Sequence, residues 1–301
     1  MVRASGVQAT GSVMLETARP ARTLWADALM RLARNRLALA SGCFLLILVL
    51  VAVAAPLVAP YRPDAQDYDH LLEGPSLAHP FGTDNFGRDV LSRVIWGARL
   101  SLSVGFLGTL VGLLFGCLIG VLAGYFGHWV DGLLMRLLDI QLAFPDLLLA
   151  ITIVAILGVG LQNVIIAIGI FSVPQFARVL RGTLLQLKQQ DFVTAAQALG
   201  ASGWRIILVH LLPNAIQPVL VLATLRLGTA ILTAASLSFL GLGIRPPASE
   251  WGAMLSDARQ FLQVAPHVAI FPGLAILLTV LALNLLGDGL RDALDPRLRR
   301  G

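Results

Sequence analysis

Lysine is almost missing from this chain. Lys188 stands alone among 301 residues, and Leu187 precedes it. A phosphate-binding loop needs Gly-Lys-Ser/Thr, so ATP cannot be bound here through one. Charge of either sign is scarce: Asp, Glu, Lys and Arg make up 13% of the residues, hydrophobic residues 57%, and the mean hydropathy is +0.81. These values lie far on the apolar side of soluble domains. Cysteine is limited to Cys43 and Cys117, both inside apolar runs. That leaves no disulfide framework and no cysteine metal site, so both read as packing residues. There is no nucleophile elbow, no HExxH and no cysteine–histidine cluster, which removes the usual supports for enzyme chemistry in a membrane. What is abundant is apolar sequence in runs of about 18 residues or more, the length that crosses a bilayer as a helix. The chain is an all-α integral membrane protein.

Residues 1–36 carry Arg3, Arg19, Arg22, Arg31, Arg34 and Arg36 against Glu16 and Asp27. They read as a disordered start followed by a short amphipathic surface helix from Leu24 to Leu37. Such a long polar lead before the first span argues against a cleavable signal peptide. Six transmembrane helices are expected, at 37–59, 100–123, 140–159, 164–177, 215–240 and 268–286. They are separated by a polar, acidic loop at 60–99, a short loop at 124–139 with Asp131, Arg136 and Asp139, a tight turn at 158–163, a polar segment at 178–213 and a second polar loop at 241–267. A tail at 287–301 follows. Pro145 and Asp146 fall in the first turns of the third span, where a missing N–H costs little and a carboxylate suits the helix dipole. In the second span Gly108, Gly112, Gly116, Gly120 and Gly124 recur every four residues, a stripe that lets another helix approach backbone to backbone.

Six spans put both termini on one side of the membrane. With that side taken as inside, 15 Lys and Arg residues fall there, six fall outside, and Arg226 lies within a span. The positive-inside rule makes that side the cytoplasm. Basicity is then explained by topology, and no nucleic-acid partner is implied.

The segment Asp191–Asn214, DFVTAAQALGASGWRIILVHLLPN, is polar enough to leave a membrane yet patterned enough to fold. Asp191 reads as an N-cap, Thr194 to Leu199 as a helix, Gly200 to Gly203 as a turn, and Trp204 to Leu212 as a second helix stopped by Pro213. It resembles the EAA loop of ABC importer permeases through Ala195, Ala196, Gly200, Leu212 and Pro213. The resemblance implies a coupling helix, with Arg205 on its second limb, that docks on a separate ATPase subunit. Where that family usually has Glu, this chain has Thr194, so the reciprocal capping box that Asp and Glu would form is lost.

The outer loop contains His79, Pro80, Phe81, Gly82, Thr83 and Asp84, then Gly87, Arg88 and Asp89, then Ser92 and Arg93. By itself this is a turn-rich lead into a helix, and the spacing of His79, Asp84 and Asp89 has no metal-ligand period. The series is similar to the hallmark of one permease subunit of dipeptide, oligopeptide and nickel ABC importers. In the same register lie Met135-Arg136 with Asp139, Phe144-Pro145, Leu237–Gly243 (LSFLGLG), Pro246-Pro247, Trp251-Gly252, Asn284–Asp288 (NLLGD) and Leu290–Arg297 (LRDALDPR). Together these cover about residues 25 to 300. One departure is Thr233, which stands where relatives commonly have Glu.

The resemblance implies a type I ABC importer permease fold in the cytoplasmic membrane. It implies as partners a second homologous permease, two ABC ATPases that bind the ATP and magnesium, and an extracytoplasmic substrate-binding protein. No cofactor is expected on this chain. Transport would run by alternating access, with di- or oligopeptides as the first substrate class and nickel complexes or glutathione-like peptides as other uses of the scaffold. Rival readings are an ATPase-independent secondary transporter and a scaffold protein without a substrate path. Arg226 is the most informative single residue, since a cation near the middle of a span needs a partner or a water-filled cavity. It reads either as lining the translocation path or as pairing with a neighbouring helix. Asn284 is a weaker path candidate, more often an interhelical hydrogen bond.

Overall fold

A computed structural model describes residues 30–244 and 247–294. The expectations for residues 1–29, for Arg245 and Pro246 and for 295–301, which include the Asp-Pro-Arg end of the tail motif, lie outside the described residues. Among the described residues the regular elements are helical, and the strand-like pairing is an isolated bridge between Thr83 and Asp89. The helices are α1 (Arg36–Val53), α2 (Ala55–Val58), α3 (Val90–Phe126), α4 (His128–Leu142), α5 (Asp146–Leu157), α6 (Leu161–Leu187), α7 (Asp191–Ala198), α8 (Gly203–Arg205), α9 (Leu212–Phe239), α10 (Trp251–Ala258) and α11 (His267–Leu294). A π-helical turn, Ile206–Leu211, joins α8 to α9. Five of these units are long and apolar enough to cross a bilayer: α1, α3, α6, the continuous run Gly203–Phe239, and α11. The pair α4 and α5, bent by 90°, makes the sixth when taken as one broken span.

The helix limits differ from the sequence expectation wherever polar side chains find partners that the sequence alone does not display. The second span begins ten residues before residue 100, because Asp89 caps α3 by accepting from the Ser92 amide at 2.7 Å, while Arg93 is buried against Asp84. The short loop expected at 124–139 is a helix, α4. Its Asp131 and Asp139 pair with Arg181 and Arg178, which also carries α6 on to Leu187 instead of ending it at 177. The third span is not one helix over 140–159: the chain turns at Ala143–Pro145 and restarts at Asp146. The loop expected at 241–267 folds back as α10, whose Trp251 is fully buried and donates through Nε1 to the Val94 carbonyl at 3.0 Å. The last span runs on past 286 to Leu294, with Gly287 against Leu225 and Gly289 against Ala38. In the first span a break at Ala54 precedes Pro56, which then opens α2. Cys43 faces outward on α1 and is no part of the core.

The expected glycine stripe is the main seam. Gly108, Gly112, Gly116, Gly120 and Gly124 of α3 face Ile168, Ser172, Phe176, Ala177 and Leu184 of α6, with no room for a Cβ on the first four. Such approach replaces lipid contact by dense van der Waals packing, the main attraction available between helices in a bilayer. Pro174 lies inside α6 and cannot donate to the Ile170 carbonyl, and the Gln141 side-chain amide supplies that hydrogen bond from α4.

Candidate functional site

The surface hairpin is built on a helix end closed by a glycine in the left-handed region. In α7, Val193 and Ala196 are buried, whereas Asp191, Thr194 and Ala195 face out. Leu199 is followed by Gly200 at φ +79°, whose amide donates to Gln197, and the Ala201 amide donates to Ala196. These two bonds are the Schellman closure, which places residue 200 in the left-handed region. Asp191 is not the N-cap: Gln190 holds that position without a side-chain bond, and Asp191 sits inside the first turn. It therefore acts on the helix dipole alone. Pro213 does not stop the second limb either. The turn ahead of it widens to π geometry, the Leu212 amide reaching back to Ile207, and the helix runs on through Pro213 into the membrane. Widening keeps the proline ring clear of the carbonyl four residues earlier.

Two contacts fix the hairpin to the C-terminal end of α3. Lys188 donates through Nζ to the Tyr125 carbonyl at 2.8 Å, satisfying a helix C-terminus, and Gly203 lies against the Tyr125 hydroxyl, where a Cβ would be 2.5 Å from that oxygen. The outward face of the hairpin is apolar. Leu199 is 88% exposed and Trp204 61%, with Phe192, Leu208 and Val209 also exposed and Arg205 beside them. Leu212 is half-buried and Pro213 exposed.

Within the membrane, Arg226 of α9 lies 3.6 Å from Asp146 Oδ2, the first residue of α5. Their side chains are 20% and 38% exposed. Asn284 is exposed on α11, with Oδ1 near Gly228, and among the described residues no hydrogen bond joins it to Arg226. Asp146 was legible only as a helix-start carboxylate. The signal for its pairing is that a charge inside a membrane seldom stands without a counter-charge.

The motif of residues 79–93 forms a scaffold at the head of α3. Asp84 accepts through Oδ1 from the amides of Phe86 and Arg88, and through Oδ2 from Arg88 Nε at 2.7 Å and from Arg93. His79 Nδ1 meets Asp89 Oδ1 at 2.9 Å, and Thr83 is bonded to His70, Glu73 and His267. Gly82 and Gly87 adopt positive φ, and a Cβ on Gly87 would collide with the Asp67 backbone. Among the described residues no three of His, Cys, Asp and Glu converge on a point where a metal could sit. Glu250, not singled out by the sequence, is buried and caps α10 by accepting from the Gly252 and Ala253 amides.

Residues 116–300 match the family described as the inner membrane component of binding-protein-dependent transport systems. The chain belongs to this family. The N-terminal transmembrane domain of oligopeptide transport permease C matches residues 23–75. The glutathione transport system permease protein GsiD of Pectobacterium atrosepticum is 51% identical over 279 residues, 92% of this chain and 93% of the relative. GsiD of Escherichia coli is 53% identical over 279 residues, 92% of each. A solved inward-facing structure of the MetNI methionine ABC transporter superposes with a TM-score of 0.55 at 21% identity, over 67% of this chain and 96% of that one. That likeness is one of fold, the type I importer permease. This inner membrane component is thus a multi-pass permease subunit of an ABC importer, in a family that works with ATPases and a substrate-binding protein. The secondary-transporter and scaffold readings fall away with it.

Proposed function

We propose that this permease pairs with a second, homologous permease to carry short peptides, glutathione among them, into the cytoplasm by alternating access. The relatives named for glutathione transport, at about half identity over nearly the whole chain, support the substrate class. Nickel complexes have no such support. The observation that carries the mechanism is the exposed apolar face of the hairpin, Leu199 and Trp204 above all, on a segment rigidly joined to a membrane helix. An exposed apolar face of this kind, with Phe192, Leu208 and Val209 alongside, is expected where a partner covers it. The coupling role of Asp191, Thr194, Ala195, Ala196, Gly200, Arg205, Leu212 and Pro213 follows from this reading, with ATP and magnesium held on the two ATPases. The exposed apolar side chains Leu133, Leu137 and Ile140 of α4, Phe144 in the turn after it, and Leu147 and Leu148 of α5 leave a surface open to the second permease or to lipid. The excess of Lys and Arg on one side supports cytoplasmic termini and hairpin.

Uptake of labelled glutathione and of di- and tripeptides into proteoliposomes holding the complete importer tests the substrate class. Leu199→Arg tests the hairpin: the ATPases should be lost on purification while the two permeases stay together. ATPases retained at the wild-type level would remove the docking reading.

A further inference from the structure

Arg226 and Asp146 form an unequal pair. Arg226 stands in the interior of a continuous helix running from Gly203 to Phe239, and among the described residues Asp146 is its one ionic partner. At 3.6 Å the contact is too long for a charge-assisted hydrogen bond, which closes to about 2.7–2.9 Å. The buried pair Arg88–Asp84 elsewhere in the chain reaches 2.7 Å. The guanidinium is therefore held to Asp146 mainly by charge attraction, without the short, directed pair of bonds its fork could make. Asp146 depends on the contact far less. It occupies the first turn of α5, directly after Pro145, where unpaired backbone amides and the helix dipole favour a carboxylate, and it is the more exposed of the two. One partner needs an anion, and the other can do without its cation.

We propose that Asp146 is the resting counter-ion of Arg226 in the empty permease, and that a carboxylate of the passing substrate displaces it. A free peptide carboxylate presents the planar, two-oxygen acceptor that a guanidinium binds with two parallel hydrogen bonds, which the loose Asp146 contact does not achieve. When the substrate leaves, Asp146 returns, so the guanidinium is never stranded without a counter-charge in the membrane. The pair thus selects for substrates with a free carboxylate and releases them by competition. This rests on the short-peptide reading above.

The test uses the complete importer in proteoliposomes and two peptides that differ only in a C-terminal carboxylate or amide. The pair is chosen so that the binding protein holds both equally in a separate titration. The quantity read is the ratio of kcat/KM for acid over amide in each variant. Asp146→Asn removes the competitor and should raise that ratio roughly tenfold, the scale of a hydrogen bond to a charged group. Arg226→Gln should bring it close to one. In the double variant Asp146→Asn adds nothing, because it acts only through Arg226. Assembly is followed by co-purification of all subunits. If both single variants lower acid and amide uptake alike and leave the ratio at the wild-type value, the pair is structural and the exchange is overturned. If the wild-type importer takes up neither peptide, the failure lies with the peptide reading instead.

Discussion

Replacing Gly116 by alanine tests the seam between α3 and α6 most directly. The new Cβ would lie 2.6 Å from the Phe176 Cβ and 2.7 Å from the Val173 carbonyl oxygen. Ordinary contact begins near 3.4 Å, and neither neighbour can rotate away, since one is the root of a side chain and the other is backbone. The helices must separate, which costs about 1–3 kcal/mol for overpacking, and a contact this short falls in the upper part of that range. Alanine returns about 0.8–1 kcal/mol through its better helix propensity. The balance is a destabilisation of about 1–2 kcal/mol from one methyl group. Gly124→Ala meets its nearest atoms only at 3.0–3.3 Å, so the two effects should nearly cancel. Gly132→Ala on α4 meets nothing within 4 Å and should be neutral or slightly stabilising. Reversible unfolding in mixed detergent micelles, followed by tryptophan fluorescence, ranks the three variants on one scale. Gly116→Ala within about 0.5 kcal/mol of wild type, the usual range for a surface change, would refute the steric account.

Other outcomes follow from single sites. Gly200→Ala should cost about 1–2 kcal/mol of hairpin stability through its left-handed backbone alone, as no atom lies near, while Gly200→Asn should be tolerated; thermal loss of ATPase association measures both. Gln141→Leu leaves the Ile170 carbonyl without its donor and should destabilise by about 1 kcal/mol. That loss should vanish in a Pro174→Ala background, where the backbone N–H is restored, and an equal loss in both backgrounds would show that Gln141 acts otherwise. Burial raises the Asp257 carboxyl above its ordinary value, against the pull of Arg93 and Arg88. A raised carboxyl favours the fold below the unfolded value and opposes it as pH climbs through the folded one. Asp257→Asn should therefore stabilise at pH 7, and the gain should shrink toward pH 4; stability measured at the two pH values checks the sign.

The spans and the surface hairpin could be read from sequence because hydropathy and small-residue spacing are local signals. The four-residue glycine repeat named its own packing face, and Gly200 marked its own helix end. Helix limits could not be read so well, since they depend on distant partners: Asp131 for Arg181, Gln141 for the carbonyl freed by Pro174, Asp84 for Arg93. Each of these polar residues looks like loop until its partner is known. Pro213 misled for a related reason. A proline breaks a regular α-turn, but one widened turn absorbs it, and nothing local in the sequence distinguishes the two results. The outer-loop motif was visible as a string of residues, while its purpose as a scaffold around Asp84 required the fold.

That widened turn has a mechanical consequence. The outer limb of the hairpin and the segment bearing Arg226 belong to one continuous helical run, Gly203 and Arg226 being roughly 35 Å apart along it at about 1.5 Å per residue. A wide turn in such a rod carries a surplus residue, and losing it would twist everything beyond by about 100°. Pro213 blocks that slip, because its ring would strike the Val209 carbonyl in a regular turn. Across the widened turn the azimuth of the segment bearing Arg226 is thus set in phase with Trp204, and Pro218, the second proline of the rod, is the point between them where it can bend without losing that phase.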